Sequence, residues 1–163
     1  RMGLVADFAA NESAILGYQD DPSYNGPVLM DRARIVALCG REMDEYDVRP
    51  HDPRLATSAF SGGNQQKIVL AREMERAPEL LLVGQPTRGV DIGAIEFIHR
   101  RLVAMRDRGQ AILLVSVELD EILALADRIL VMFEGRIIGE EAPGATDERR
   151  LGLMMAGIRP EAS

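Results

Sequence analysis

A serine, two glycines and two amides occur together where the chain's pattern predicts the start of a helix: Ser61, Gly62, Gly63, Asn64 and Gln65. The first N–H groups of a helix have no partner within it, and the helix dipole makes that end positive. Small residues with hydroxyl or amide donors at such a position form an anion site. The same residues also form an ordinary capped turn, so this motif alone leaves both interpretations open.

A phosphate loop of its own is missing from the chain. Such a loop reads Gly-x-x-x-x-Gly-Lys-Ser/Thr and follows a strand. The only lysine, Lys67, follows Gln66, and no stretch has the required order. The chain by itself is therefore predicted not to bind a nucleotide triphosphate tightly.

A second motif follows the predicted helix and a short apolar run at residues 80–83. It consists of Gly84, Gln85, Pro86, Thr87, Arg88, Gly89, Val90 and Asp91. Together the two motifs resemble those of the nucleotide-binding domain of ABC transporters in their order, spacing and residue types, over residues 60–140. In detail the chain is similar to the second ATP-binding half of fused subunits that energise import of simple sugars or nucleosides. Ser-Gly-Gly-Asn-Gln-Gln-Lys and Pro-Thr-Arg-Gly-Val-Asp are characteristic of that group.

The resemblance implies a role for each matching position. It puts the Walker B aspartate at Gly84, the catalytic glutamate at Gln85, the D-loop aspartate at Asp91 and the switch histidine at Val117. Glycine has no oxygen to hold a magnesium-bound water, and glutamine can orient a water but cannot accept its proton. Valine cannot hydrogen-bond a γ-phosphate. We therefore predict no catalytic residue at these positions. In the alternative interpretation, residues 84–86 are simply a turn between a strand and a loop.

The resemblance also implies what the surviving signature does. In the family two halves dimerise head to tail, and each signature caps ATP held by the other half. Residues 61–65 and Asp91 are thus expected to serve ATP in trans. ATP and Mg²⁺ are expected in the intact transporter, with none bound to this chain alone and no resident metal.

Partners and location follow from the same resemblance. The expected partners are the first ATP-binding half of the same subunit, membrane permease subunits and, indirectly, a periplasmic or lipoprotein solute-binding protein. Residues 11–24 are the expected permease contact. The protein is expected at the cytoplasmic face of the bacterial inner membrane as a peripheral component, with the choice between sugar and nucleoside left open.

The elements that carry these motifs are predicted from apolar spacing and caps. Helices are expected over residues 11–17, from an Asp31 cap, from Ser61 or Asn64, from an Asp91 cap and over 146–155. Residues 80–83 and 111–115 read as strands buried on both faces and joined in a βαβ unit. A short helix near 119–126 and a hairpin over 128–139 follow. Without the strand that precedes a phosphate loop, the predicted sheet is expected to expose an edge.

The fold class expected is α/β: part of a P-loop NTPase-like ABC ATPase. It comprises a helical subdomain (residues 1–60), a partial parallel sheet with flanking helices and a C-terminal hairpin (61–140), and a terminal helix and tail (141–163). The first residue, Arg1, suggests a segment of a longer protein.

Composition restricts the alternatives. A net charge of -7 and a pI near 4.9 argue against nucleic-acid binding. Cys39 is expected to be buried, and no cysteine cluster accompanies His51 or His99, which argues against structural zinc. The pair Arg100 and Arg101 is predicted to form a solvated helix face.

Two other functions are weighed against an inactive half. One is a fully active ABC ATPase domain whose missing parts lie outside this chain. The other is an ABC-like protein of DNA repair or chromosome maintenance, which the net negative charge and the importer-type signature disfavour. Glu118, Asp120 and Glu121 are conceivable substitute bases, but acidic residues in a first helical turn usually complement the dipole.

Overall fold

A computed structural model describes residues 3–26 and 28–158 of the 163-residue chain. The elements follow in this order: α1 (Ala10–Ala14), α2 (Arg32–Glu45), α3 (Gly62–Met74), β1 (Leu80–Gly84), α4 (Ile92–Asp107), β2 (Ala111–Val115), α5 (Leu119–Leu125), β3 (Ile129–Phe133), β4 (Arg136–Glu141) and α6 (Glu148–Met155). Short 3-10 turns occur at Pro22–Tyr24, Thr57–Ala59 and Pro143–Ala145. The alternation of helices and strands confirms the predicted α/β class.

Side-chain caps fix where four of the helices begin. Asp31, Ser61, Asp91 and Asp147 each accept a hydrogen bond from a first-turn backbone N–H of α2, α3, α4 and α6. Each bond satisfies a donor that the helix itself leaves free. The open choice at the start of α3 is thus settled in favour of Ser61. Glycine ends α4, because Gly109 adopts a φ of 87° that other residues rarely take.

The helical first part packs on α3. Cys39, Met43 and Tyr46 of α2 are buried together with Ile68 and Ala71 of α3. The same apolar core continues to strand β1 and helix α4, so it joins the predicted helical subdomain to the predicted βαβ unit. The buried position predicted for Cys39 is confirmed, and burial raises the pKa of its thiol to about 12.

Strands β1 and β2 pair in parallel, with Leu80 opposite Ala111 and Gly84 opposite Val115. The prediction that both strands are buried on both faces is wrong. Leu81 and Val83 pack into the core, whereas the alternate side chains are largely solvent-exposed: Leu80 61%, Leu82 68%, Leu113 52% and Val115 53%. Helices α3 and α4 cover one face, and no described residue covers the other. The continuous apolar runs predicted a sheet with both faces covered, but the described residues cover only one face.

The carboxyl-terminal part forms a second, smaller core. Strands β3 and β4 pair antiparallel around Glu134 and Gly135, as the hairpin pattern predicted. Ile129 and Val131 of β3 pack on Leu151 and Met154 of α6. Residues 159–163 of the predicted tail lie outside the described residues. None of the helices in the described ranges has the length and hydropathy to cross a membrane.

Candidate functional site

The start of α3 is a compact hydrogen-bonded unit. Ser61 Oγ accepts from the backbone N–H of Asn64 at 3.4 Å and from Asn64 Nδ2 at 2.9 Å. Asn64 Oδ1 in turn accepts from the backbone N–H of Arg49 at 2.8 Å. These bonds fix the side chains at the start of α3. The first N–H groups of this 13-residue helix have no acceptor within the helix.

A pocket of about 260 Å³ lies between this helix start and the segment before α4. Its lining comprises Ser61, Gly62, Gly63, Asn64, Lys67, Gly89, Val90, Asp91 and Ala94. The structure thus brings together the predicted signature and the predicted D-loop aspartate. Four of the five predicted signature residues line the pocket, and the fifth does not.

Contacts between the two segments hold this pocket in shape. A side chain placed on Gly63 would meet Val90 Cγ1 at 3.9 Å and Asp91 Oδ2 at 4.0 Å, so the side chains of Val90 and Asp91 lie beside Gly63. Gln66 Nε2 donates to the carbonyl oxygen of Pro86. Asp91 Oδ1 accepts from the N–H of Ala94 at 2.8 Å, which fixes the carboxylate as the cap of α4.

Gln65, the fifth residue of the predicted signature, has partners on the opposite side. Its Nε2 donates to the carbonyl oxygens of Thr57 at 3.1 Å and Phe60 at 2.9 Å. These bonds attach α3 to the 3-10 turn that precedes it. The position of Gln65 is therefore that of a residue that anchors the helix rather than one that faces a ligand.

Three positions predicted to have lost catalytic groups lie at the carboxyl ends of β1 and β2. Gly84 pairs with Val115, and the N–H of Gln85 donates to the carbonyl oxygen of Val115 at 2.8 Å. Val117 follows two residues later and is 58% exposed. Within the described ranges, Gln85 Oε1 is buried with no hydrogen-bond partner. The chemistry available from these three residues is that of a single amide.

Packing does not demand glycine at position 84. A Cβ added to Gly84 would meet no atom within 4 Å, and the φ there is not left-handed. Magnesium in proteins binds to carboxylate, carbonyl or phosphate oxygens. Gly84 provides no side-chain oxygen, and Gln85 provides one neutral amide, so these residues do not fit a resident Mg²⁺. No cluster of three or more His, Cys, Asp or Glu suited to a metal occurs among the described residues.

One acidic and one basic side chain have partners that the sequence did not indicate. Glu121 is 3% exposed, and its Oε1 lies 3.0 Å from His99 Nε2 of α4. Its carboxylate therefore faces α4 and not the ends of the strands. Arg101 was predicted to be solvated, and that prediction is wrong. Its guanidinium donates to Glu45 Oε1 and to the Glu45 carbonyl, each at 2.9 Å, and lies 4.4 Å from the ring centre of Tyr46.

The fold compares closely with ABC ATPase cassettes of known structure. A dimeric bacterial ABC transporter cassette superposes with a TM-score of 0.71 at 20% identity, over 87% of this chain and 60% of that one. A dimeric post-hydrolysis cassette bound to ADP and Pi gives a TM-score of 0.69 at 19% identity, with the same coverage. The fold is that of the ABC ATPase cassettes, a P-loop NTPase fold.

Sequence relatives make the assignment closer. The chain is 46% identical over 155 residues to a guanosine import ATP-binding protein, NupO of Bacillus subtilis, and 44% over 157 residues to a nucleoside import ATP-binding protein, NupA of Lactococcus lactis. It is 45% identical over 163 residues to a xylose import ATP-binding protein, XylG of Burkholderia ambifaria. No protein-family model matches the sequence.

These matches cover 95%, 96% and 99% of the chain but 30%, 31% and 31% of the respective relatives. The chain thus spans about a third of the length of the curated relatives and matches their carboxyl-terminal part. It belongs to the ABC transporter ATP-binding family, as the sequence motifs predicted.

Proposed function

We propose that this chain is the non-catalytic part of an ATP-binding subunit in an ABC importer and that it completes the ATP site of a partner half. The observation that carries this proposal is the contrast between two places in one fold. The pocket at Ser61 offers hydrogen-bond donors from an intact helix start. The strand ends at Gly84 and Gln85 offer neither a carboxylate nor a second oxygen-rich side chain.

The pocket suits an oxyanion. Ser61, Gly62 and Gly63 place a hydroxyl and unpaired N–H groups at the positive end of α3. We assign the terminal phosphate of ATP as its occupant, with ATP and Mg²⁺ held by the partner half. When bound, that nucleotide supplies the energy of phosphoryl transfer, and this chain contributes donors that stabilise charge on the phosphate oxygens.

The positions on the chain's own side are proposed to be inert. Gln85 accepts no proton from an attacking water, because an amide is far less basic than a carboxylate. Val117 provides neither a donor nor an acceptor toward a phosphate. Within this proposal, Gly84, Gln85 and Val117 therefore describe a degenerate site, and hydrolysis takes place only in the site completed by Ser61.

The names of the relatives support a proposal for the transported solute, and the family resemblance supports one for the remaining partners. Their printed names concern guanosine, nucleosides and xylose. We propose import of a nucleoside or simple sugar through membrane permease subunits, supplied indirectly by a solute-binding protein. Residues 11–24 are the proposed permease contact, which places the chain at the cytoplasmic face of the membrane as a peripheral component.

The test is the ATP hydrolysis rate of the assembled importer with single substitutions in this chain. Ser61→Ala should lower the rate about tenfold or more, because a hydrogen bond to a charged group is lost in the trans site. Gln85→Ala should change the rate less than about twofold. Asp147→Ala is the matched control for Ser61, since it also removes a helix cap but lies at α6, away from the pocket.

The fully active alternative makes the opposite prediction for Gln85. If Gly84, Gln85 and Val117 belonged to a working catalytic centre, Gln85→Ala would remove the only hydrogen-bonding side chain among them and lower the rate severalfold. A loss with Gln85→Ala that matches the loss with Ser61→Ala would therefore refute the inert site. An unchanged rate with Ser61→Ala would refute the role in trans.

A further inference from the structure

The side chain of Asn64 connects two parts of the chain through bonds whose direction is determined. The backbone N–H of Arg49 lies 2.8 Å from Asn64 Oδ1. A backbone N–H can only donate, so the atom facing it must be the amide oxygen. The amide nitrogen then faces Ser61 Oγ at 2.9 Å, and there it can only donate. The chemistry of its two partners therefore determines the orientation of the amide.

This orientation determines what the hydroxyl of Ser61 does. Its oxygen accepts from Asn64 Nδ2 at 2.9 Å and from the Asn64 N–H at 3.4 Å, which occupies both lone pairs. The single hydroxyl hydrogen must then point away from both donors. Ser61 lines the pocket, and among the described residues its hydroxyl donates to no other group. The hydroxyl is therefore oriented as a donor to whatever acceptor enters the pocket.

The loop that supplies the Arg49 N–H is itself attached to α3. One helical turn after Asn64, Lys67 Nζ donates to the carbonyl oxygen of Asp47 at 2.9 Å. Residues 64 and 67 are three apart and share a face of the helix. The segment between α2 and α3 is thus held at two points, and of these two contacts the one at Asn64 continues to the Ser61 hydroxyl.

We propose that Asn64 is a positioning residue: it transmits the location of the Arg49 backbone to Ser61 and fixes the Ser61 hydroxyl as a donor toward an oxyanion. This inference rests on the proposed function, because it specifies how the same pocket is prepared for the phosphate of the partner half. Asn64 acts through Ser61 and is not a catalytic residue. Its amide stays committed to Arg49 and Ser61 while the pocket is filled.

Asn64→Asp is the informative substitution. An aspartate keeps the oxygen that accepts from the Arg49 N–H, so the loop contact and the fold are preserved. It replaces the donor facing Ser61 with an acceptor, and the Ser61 hydroxyl then turns inward to donate to the carboxylate. The pocket loses its oriented donor. The new charge also repels a phosphate, and that second effect must be separated from the first.

A double-mutant cycle in the assembled importer separates the two effects. Asn64→Asp is measured with Ser61 present and again with Ser61→Ala, following ATP turnover, the KM for ATP and the melting temperature. Charge repulsion acts equally in both backgrounds. The loss of the oriented hydroxyl acts only when Ser61 is present, so we expect turnover to fall at least about fivefold further in that background. The melting temperature should change little, and any rise in the KM for ATP that the new charge causes should be the same in both backgrounds.

Each outcome is decisive. Equal losses from Asn64→Asp in both backgrounds overturn the positioning role and leave the proposed function standing. A fall in melting temperature that accompanies the loss of turnover in both backgrounds assigns Asn64 a structural role only, and also overturns it. An unchanged turnover with Ser61→Ala alone overturns the proposed function and the positioning role with it.

Discussion

Glu42 allows a prediction whose size can be worked out from its surroundings. It lies between α2 and α3 with 8% of its surface exposed, beside Cys39, Met43, Val48, Ile68 and Ala71. Burial is the largest cause that raises its pKa, from 4.5 to about 7, and the Glu75 carboxylate adds to the rise. Arg76 and Arg41 oppose it, and Glu45 contributes a smaller increase.

The sign of the effect follows from linkage. The folded-state pKa of Glu42 lies above its unfolded value, so ionisation opposes folding. The contribution of Glu42 to stability is complete below about pH 4.5 and is lost as the pH rises through about 7. A pKa difference of this size corresponds to about 3 kcal/mol, and about 2 to 3 kcal/mol of it falls between pH 5 and pH 8.

Urea unfolding at pH 5 and pH 8 measures this quantity against Glu42→Gln, which cannot ionise. We expect the glutamine variant to gain about 2 to 3 kcal/mol over the unsubstituted protein on going from pH 5 to pH 8. Other titrating groups cancel in that comparison. Glu96→Gln, an exposed position on α4, should show no such change. The reasoning is refuted if the free energies of unfolding of the Glu42→Gln variant and the unsubstituted protein differ by the same amount at both pH values, within about 0.5 kcal/mol.

Three further predictions concern other parts of the fold. Arg101→Lys should lower the free energy of unfolding by about 1 to 2 kcal/mol in urea, because lysine cannot make the paired bonds to Glu45 or stack in the same way. The exposed neighbour changed as Arg100→Lys should lose less than about 0.5 kcal/mol, and equal losses would contradict the contact. Cys39 should resist alkylation at pH 8 in the folded protein and react on denaturation, and rapid labelling without denaturant would show that it is accessible. Gln85→Gly should keep or raise stability by about 0.5 kcal/mol, because the residue has a φ of 52°; a loss above about 1 kcal/mol in urea would mean that its side chain stabilises the turn.

Local signals in the sequence were sufficient for the starts of α2, α3 and α4, whereas the helix predicted over residues 11–17 covers only Ala10–Ala14. The caps at Asp31, Ser61 and Asp91 and the ending at Gly109 depend on residues within one turn, and the structure has all of them. The hairpin around Gly135 depends on a similarly short stretch. Such interactions are encoded by neighbours in the chain and are therefore visible in its pattern.

The faces of the strands could not be read in the same way. An apolar run such as Leu80 to Val83 shows that both faces tolerate apolar side chains, but it does not show that both have neighbours. Here the helices cover only the face of Leu81 and Val83. Leu80 and Leu82 are largely exposed among the described residues, and the run itself contains no information about which of its faces has neighbours.

The site was predictable only in part for the same reason. Because of the resemblance to a known family, Ser61 and Asp91 were expected to act at the same ATP site, and both line one pocket in the structure. The contacts that hold the pocket and its surrounding elements together join residues that are distant in sequence. Arg49 lies 15 residues before Asn64, and Glu45 lies 56 residues before Arg101. Spacing rules apply to neighbours within an element, so contacts of this kind appear only when the chain is folded.

Helix α3 spans the distance between the pocket and the outer helical surface. Its 13 residues measure about 20 Å at about 1.5 Å per residue. Ser61 begins it at the pocket, and near its far end Glu73 accepts from the hydroxyl of Tyr18 at 2.7 Å. The helix therefore connects the pocket rigidly to the contact at Tyr18. A displacement of one end moves the other end with it, because the backbone hydrogen bonds of the helix keep its length fixed.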